Sequence, residues 1–205
     1  TLKFIGQEAK KRNFLMAGHL PNNVSIEYAL SCGMNNFSHY ISRNENNKNV
    51  ETLAAAKGWL DPTMAWGELG SRSFKSPLSL IDDESADWSD ALQDRILRYG
   101  ANRSIDEFKE VQQQIDSLIR LYVKLGVKLL PGTDVAAGVS TLHREIKLFA
   151  KNGLGNLKAL QTATIDAAVN LKIDKQYGSI ESGKIANIVI YDANPIDLSL
   201  IHISE

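Results

Sequence analysis

Three residues pair a side chain able to ligate a metal or move a proton with the same local setting: His19, His39 and Asp134. His19 ends the run Phe14-Leu15-Met16-Ala17-Gly18, and His39 ends Asn35-Asn36-Phe37-Ser38. Asp134 follows the apolar stretch 127–130 across Pro131-Gly132-Thr133. Neutral imidazole and carboxylate suit Zn²⁺ and similar ions, and a carboxylate beside an activated water can take its proton. Each residue also has a plainer reading. Asp134 can cap a helix beginning near Ser140 or make a turn, and either histidine can be a surface or satisfied core residue. Taken together at equivalent strand ends, the three would converge on one rim of a parallel α/β barrel, the end where such barrels place their chemistry.

Positioning these residues requires alternating helices and strands, and the chain supplies that alternation. Leu2, Phe4, Ile5 and Ala9 fit an amphipathic helix. The continuous apolar run 14–18 predicts a strand buried on both faces. Residues 25–31 read as a short helix closed by Gly33, and Asn49 can cap a helix through Val50, Leu53 and Lys57. Gly58-Trp59-Leu60-Asp61 leads into Pro62-Thr63 as a third strand exit. Ser104-Ile105-Asp106-Glu107 is a capping box, followed by the stripe Phe108, Val111, Ile115, Leu118, Ile119 and Tyr122. After the 127–130 strand come a helix through Leu142, Ile146 and Phe149 and one capped by Asn156 that runs to Leu171. Four strand–helix alternations predict a parallel sheet.

Two stretches break this rhythm. Residues 64–103 are rich in Ser, Asp and Gly, with one helix-like patch of Trp88, Leu92, Ile96 and Tyr99. They read as a long loop or lid inserted after a strand, with Trp66 and Trp88 as its apolar contacts to a substrate or to the core. Residues 178–180 and 186–191, joined across Glu181-Ser182-Gly183-Lys184, read as an antiparallel pair outside the barrel.

Composition narrows the partners. Lys+Arg total 23 against Asp+Glu 24, a net charge of −1, and no basic patch points to nucleic acid. No apolar run reaches the roughly 18 residues of a membrane span. The single cysteine, Cys32, cannot form an intrachain disulfide, and compartment is left open.

Ala17-Gly18-His19-Leu20-Pro21, Val24-Ser25-Ile26-Glu27, Gly33 and Ser38-His39 resemble the fifth and sixth barrel strands of the amidohydrolase superfamily. Gly132-Thr133-Asp134 with Leu142-His143-Arg144-Glu145-Ile146 and Gly153-Leu154 is similar to its eighth strand and following helix. Gly178-Ser179-Ile180-Glu181-Ser182-Gly183-Lys184-Ile185-Ala186-Asn187-Ile188-Val189-Ile190 resembles the return to its small β-domain. The nearest subgroup is the imidazolonepropionase-like and prolidase-type hydrolases.

The resemblance implies the C-terminal half of a (β/α)8 TIM-type barrel: residues 1–172, with a lid inserted at 64–103, then part of the small β-domain at 173–197. It implies a metal-dependent hydrolase of C–N bonds in an amide, cyclic amide or dipeptide. His19 and His39 match the histidines that bind the second metal of a site holding one or two ions, most often Zn²⁺. Asp134 matches the first metal's acid, the general base when a metal-bound hydroxide attacks a polarised carbonyl. His143 matches a recurrent position and serves either as a substrate contact or as a bond from helix to loop. A scaffold with this fold and no catalysis is the alternative.

There are departures. Ser38 stands where the family usually has an acid, and Ser182 and Asn187 where it usually has Pro and Asp. The family's first-strand His-x-His pair and fourth-strand Lys or Glu have no counterpart here, so the 205 residues by themselves are expected to be inactive. Residues 198–205, Leu-Ser-Leu-Ile-His-Ile-Ser-Glu, read as an in-frame translation of a transposon adapter, which sets His202 aside.

Overall fold

The computed structural model describes residues 1–21, 23–39, 47–71, 89–99, 103–134, 139–191 and 194–197. Trp88 and the 198–205 tail lie outside them, as does much of the 64–103 insert. The chain forms two compact units, Thr1–Pro62 with Leu121–Gly132 and Thr162–Ala186, and Thr63–Arg120 with Thr133–Gln161 and Asn187–Glu205.

The first unit holds the sheet. Strands β1 (Ala17–Gly18), β2 (Asn36–Ser38), β3 (Trp59–Asp61) and β4 (Lys128–Leu129) pair in parallel in the order β1-β2-β3-β4. The register sets Ala17 beside Asn36, Asn36 beside Trp59, and Trp59 beside Lys128. The first and last strands are therefore the edges. Phe37, Leu60 and Leu129 are buried in the sheet, with Ile26, Val50, Leu53 and Tyr122 in the same core. Lys128 sets its ammonium 4.6 Å from the Trp59 ring centroid, a cation–π contact between neighbouring strands.

The two edges differ, and the run 14–18 expected to be buried on both faces is largely exposed. Phe14 is 67% exposed and Leu15 39%. Only Ala17 and Gly18 of the 14–18 run pair as strand, and among the described residues no strand covers the outer side of β1. On β4, Val127 and Leu129 are both buried.

Helices α1 (Leu2–Lys11), α2 (Ile26–Ser31), α3 (Lys48–Ala55) and α9 (Ile165–Asn170) belong to this unit. Ser25 caps α2 by accepting from the Tyr28 N–H at 3.2 Å. The N-cap of α3 is Asn47, in a left-handed conformation, instead of Asn49. α1 lies so close to the α2 C-terminus that a Cβ on Gly6 would overlap the Cys32 carbonyl oxygen. The obstacle is backbone, which cannot rotate aside. Gly6→Ala is therefore expected to push α1 off α2 and cost about 1–3 kcal/mol in urea unfolding; an unchanged midpoint would show that this contact is not tight.

The second unit is helical. α4 (Met64–Ser71) follows β3 directly, so the insert opens in a helix where the composition predicts a loop. α5 (Asp90–Tyr99) matches the helix-like patch. α6 (Ile105–Leu125) carries the predicted stripe, with Phe108, Ile115 and Ile119 buried. At its start the Ser104 N–H donates to Glu107 and the Glu107 N–H to the Ser104 hydroxyl. These bonds, the backbone one first, hold the Glu107 carboxyl below its ordinary value.

α7 (Val139–Phe149) anchors the unit. The fully buried Glu145 carboxylate accepts from the Met64 N–H (3.0 Å) and the Ala65 N–H (2.7 Å), capping α4 from outside. Next to it, Arg144 donates from Nε and Nη2 to the buried Glu68 carboxylate at 2.7 and 3.0 Å. Beyond α7, buried Asn152 donates to Asp116 and accepts from Arg120, tying the helix end to α6.

Two further expectations are corrected. The helix predicted from Asn156 to Leu171 is two, α8 (Asn156–Thr162) and α9, broken where Thr164 leaves helical backbone (φ −123°, ψ −96°). Residues 178–191 form no strands. Ile180 is 86% and Ile190 89% exposed, and an isolated two-stranded ribbon without a covering layer has too little burial to persist.

Candidate functional site

Three strands are followed in sequence by unusual backbone. His39 (φ 66°), Thr63 (φ 50°) and Asp134 (φ 46°), just after β2, β3 and β4 in sequence, all lie in the left-handed region. That conformation costs a non-glycine residue of order 1–3 kcal/mol and persists where surrounding structure enforces it, often at functional sites. His and Asp tolerate it best, whereas β-branched Thr63 is the outlier.

Parallel pairing of β1 with β2 brings two predicted residues together. The His19 and His39 rings meet edge to face, centroids 4.2 Å apart and planes at 75°. His19 is exposed and His39 half-buried. The His39 N–H donates to the Asp61 carbonyl at 2.8 Å, extending the ladder one residue past the strand. In the row below, the Ser38 hydroxyl donates to the Asp61 carboxylate at 3.1 Å.

The other predicted residues belong to the second unit. Asp134 is exposed, Trp66 sits half-buried on α4, and His143 is half-buried on α7. Among the described residues no three His, Cys, Asp or Glu side chains form a metal-holding group. Asp61 and Thr63 are the strand-exit residues that sequence reasoning passed over. Both lie in the segment recognised as a third strand exit, and an acid in that place was the available signal.

The model of the amidohydrolase family matches residues 1–204. Aspergillus niger ochratoxinase is 22% identical over 200 residues, 96% of this chain and 36% of its own length. A Teredinibacter turnerae 5-methylthioadenosine/S-adenosylhomocysteine deaminase is 33% identical over 88 residues, 38% of this chain and 20% of its own. The structure of a Xaa-Pro dipeptidase with bound methionine superposes with a TM-score of 0.66 at 23% identity, over 96% of this chain and 43% of that one. The chain thus spans less than half the length of these relatives. The structural likeness establishes the fold: four parallel strands with their helices, matching part of a (β/α)8 barrel.

Proposed function

The chain belongs to the amidohydrolase family, and from that premise we propose that it serves a metal-dependent hydrolase of C–N bonds in amides, cyclic amides or dipeptides. The observation that carries the reading is the His19–His39 pair, two imidazoles 4.2 Å apart on adjacent strand exits. Amide substrates are favoured over an amine on a purine because the ochratoxinase likeness runs over 96% of the chain and the deaminase likeness over 38%. The dipeptidase likeness adds Xaa-Pro dipeptides as a class to test.

The histidine pair fits a divalent cation, since neutral nitrogens on one edge are the donors Zn²⁺ takes. His19 and His39 would hold the second metal of the family's site, and Asp134 would be a carboxylate ligand of the first. When bound, the cation supplies Lewis acidity to the substrate carbonyl. Asp134 takes the proton of the attacking water and returns it to the leaving nitrogen. The enforced left-handed backbone holds His39 in place and limits its reorganisation. His143, Trp66 and Trp88 are assigned as substrate contacts. Residues 1–172 are assigned to the catalytic barrel, 64–103 to an insert shaping the pocket, and 173–197 to the small β-domain.

The intact gene product, loaded with Zn²⁺, should be screened against N-acyl amino acids, imidazolones and Xaa-Pro dipeptides. We expect hydrolysis in at least one class, lost on chelation and restored by metal. The 205-residue chain should show no useful turnover, since two histidines and one carboxylate make at most part of a two-metal site. Turnover indifferent to chelation and to His39→Ala would sink the reading.

A further inference from the structure

The His19–His39 pair has an open side and a held side. On the β1 side, among the described residues, no strand pairs with the outer edge, and His19 is exposed. On the other side β2 is paired with β3, and Asp61 lies in register with Ser38, the residue just before His39.

Two bonds from β2 converge on Asp61. The His39 N–H donates to its carbonyl at 2.8 Å, and the Ser38 hydroxyl donates to its carboxylate at 3.1 Å. These donors flank one peptide unit, because the N–H lies in the plane joining Ser38 to His39 and the hydroxyl is on the residue behind it. The unit is planar, so tying both of its ends to one residue leaves it little freedom to rotate. The next rotation along the chain is the φ of His39, which stands at 66°. Left-handed backbone is unfavourable for a histidine and persists only where its surroundings enforce it. Relaxation of this φ to the ordinary negative range would carry Cβ and the imidazole to a new position and break the 4.2 Å edge-to-face contact with His19.

The main-chain bond needs no particular side chain at position 61, since every residue offers a carbonyl. The carboxylate bond does. Neighbouring strands lie about 4.8 Å apart, a gap that a short hydroxyl and a short carboxylate can close between in-register positions. Both residues are half-buried. We infer that Asp61 is a positioning residue: its carboxylate, through Ser38, clamps the Ser38–His39 peptide and so holds the His39 imidazole against that of His19. The benefit of this clamp to a bound cation rests on the hydrolase reading, whereas its hold on the two rings does not.

Two readouts on the full 205-residue chain keep the clamp and that reading apart. In the metal-free protein a nuclear Overhauser effect between the His19 and His39 ring protons is expected. Ser38→Ala, a small change at a half-buried site, should lose it. Ser38→Thr restores the hydroxyl and Asp61→Asn keeps an acceptor oxygen, so both should retain it. With Zn²⁺ alone, calorimetry should show about tenfold weaker binding for Ser38→Ala, the low end for a lost partner that orients a metal ligand. The low end applies because 3.1 Å is long for a hydroxyl donor. Ser38→Thr should bind Zn²⁺ as wild type does. Asp61→Ala should match Ser38→Ala, and the serine variants decide the matter if it fails to fold. A purely structural role would lower the thermal stability of Ser38→Ala without moving the ring contact or the Zn²⁺ affinity, and that result overturns the proposal. So does a wild-type chain without the ring contact, or Asp61→Asn losing it while Ser38→Ala keeps it. Loss of the contact in Ser38→Ala, with no Zn²⁺ binding even in wild type, supports the clamp and counts against the hydrolase reading instead.

Discussion

On the proposed hydrolase reading, Asp134→Asn is expected to lower kcat by roughly 10²–10⁴-fold, the range for a positioned general base, with KM little changed. The argument rests on backbone as well as chemistry. Asp134 has φ 46°, and asparagine is among the few residues that accept that conformation readily. The substitution therefore keeps the loop, the side-chain shape and one carbonyl acceptor, and removes only the charge and the ability to hold a proton. Asp134→Ala adds backbone strain to the chemical loss, so its thermal stability should fall while that of Asp134→Asn does not. Steady-state kinetics with circular dichroism on both variants makes the separation. A kcat within a few-fold of wild type for Asp134→Asn would return Asp134 to the role of a turn residue.

The second large effect is on stability. Arg144→Ala should destabilise the helical unit by about 3 kcal/mol, the lower end of what breaking a buried pair costs. Glu68 has 2% of its side chain exposed and would keep a charge with no adequate partner. Gln112 stands 3.5 Å from it, too far for a strong bond. The lower end applies because Arg144 itself is 21% exposed, so water already screens part of the interaction. Replacing both, Glu68→Leu with Arg144→Leu, should recover most of the loss, since an apolar pair of similar volume removes two desolvation penalties together. Urea midpoints for the two singles and the double decide this. Additive losses would show that the pair is not coupled.

His19, His39 and Asp134 were legible because each closes a strand-like run, and strand ends follow from local composition. The parallel sheet was legible for a related reason, since helical and extended periodicities alternate four times along the chain. Direct pairing of the two histidines follows from that alternation only once β1 and β2 are neighbours, a matter of topology. The tertiary structure alone decided how α4 forms. Its composition, with two glycines and Ser, Thr and Pro nearby, reads as loop, and the bonds that hold it come from Arg144 and Glu145 on α7, some eighty residues later in the chain. No local pattern encodes an N-cap supplied from another helix. The strand pair expected at 178–191 failed for the converse reason. Its residues have strand propensity, but a strand needs a hydrogen-bonded neighbour and a covering layer, and Ile180 and Ile190 have water. Residue type and spacing thus determined which groups stand at the strand ends and the order of the elements. Long-range hydrogen bonds and burial decided which segments hold their shape, because an unpaired backbone group is stable only where some other part of the chain, or water, satisfies it.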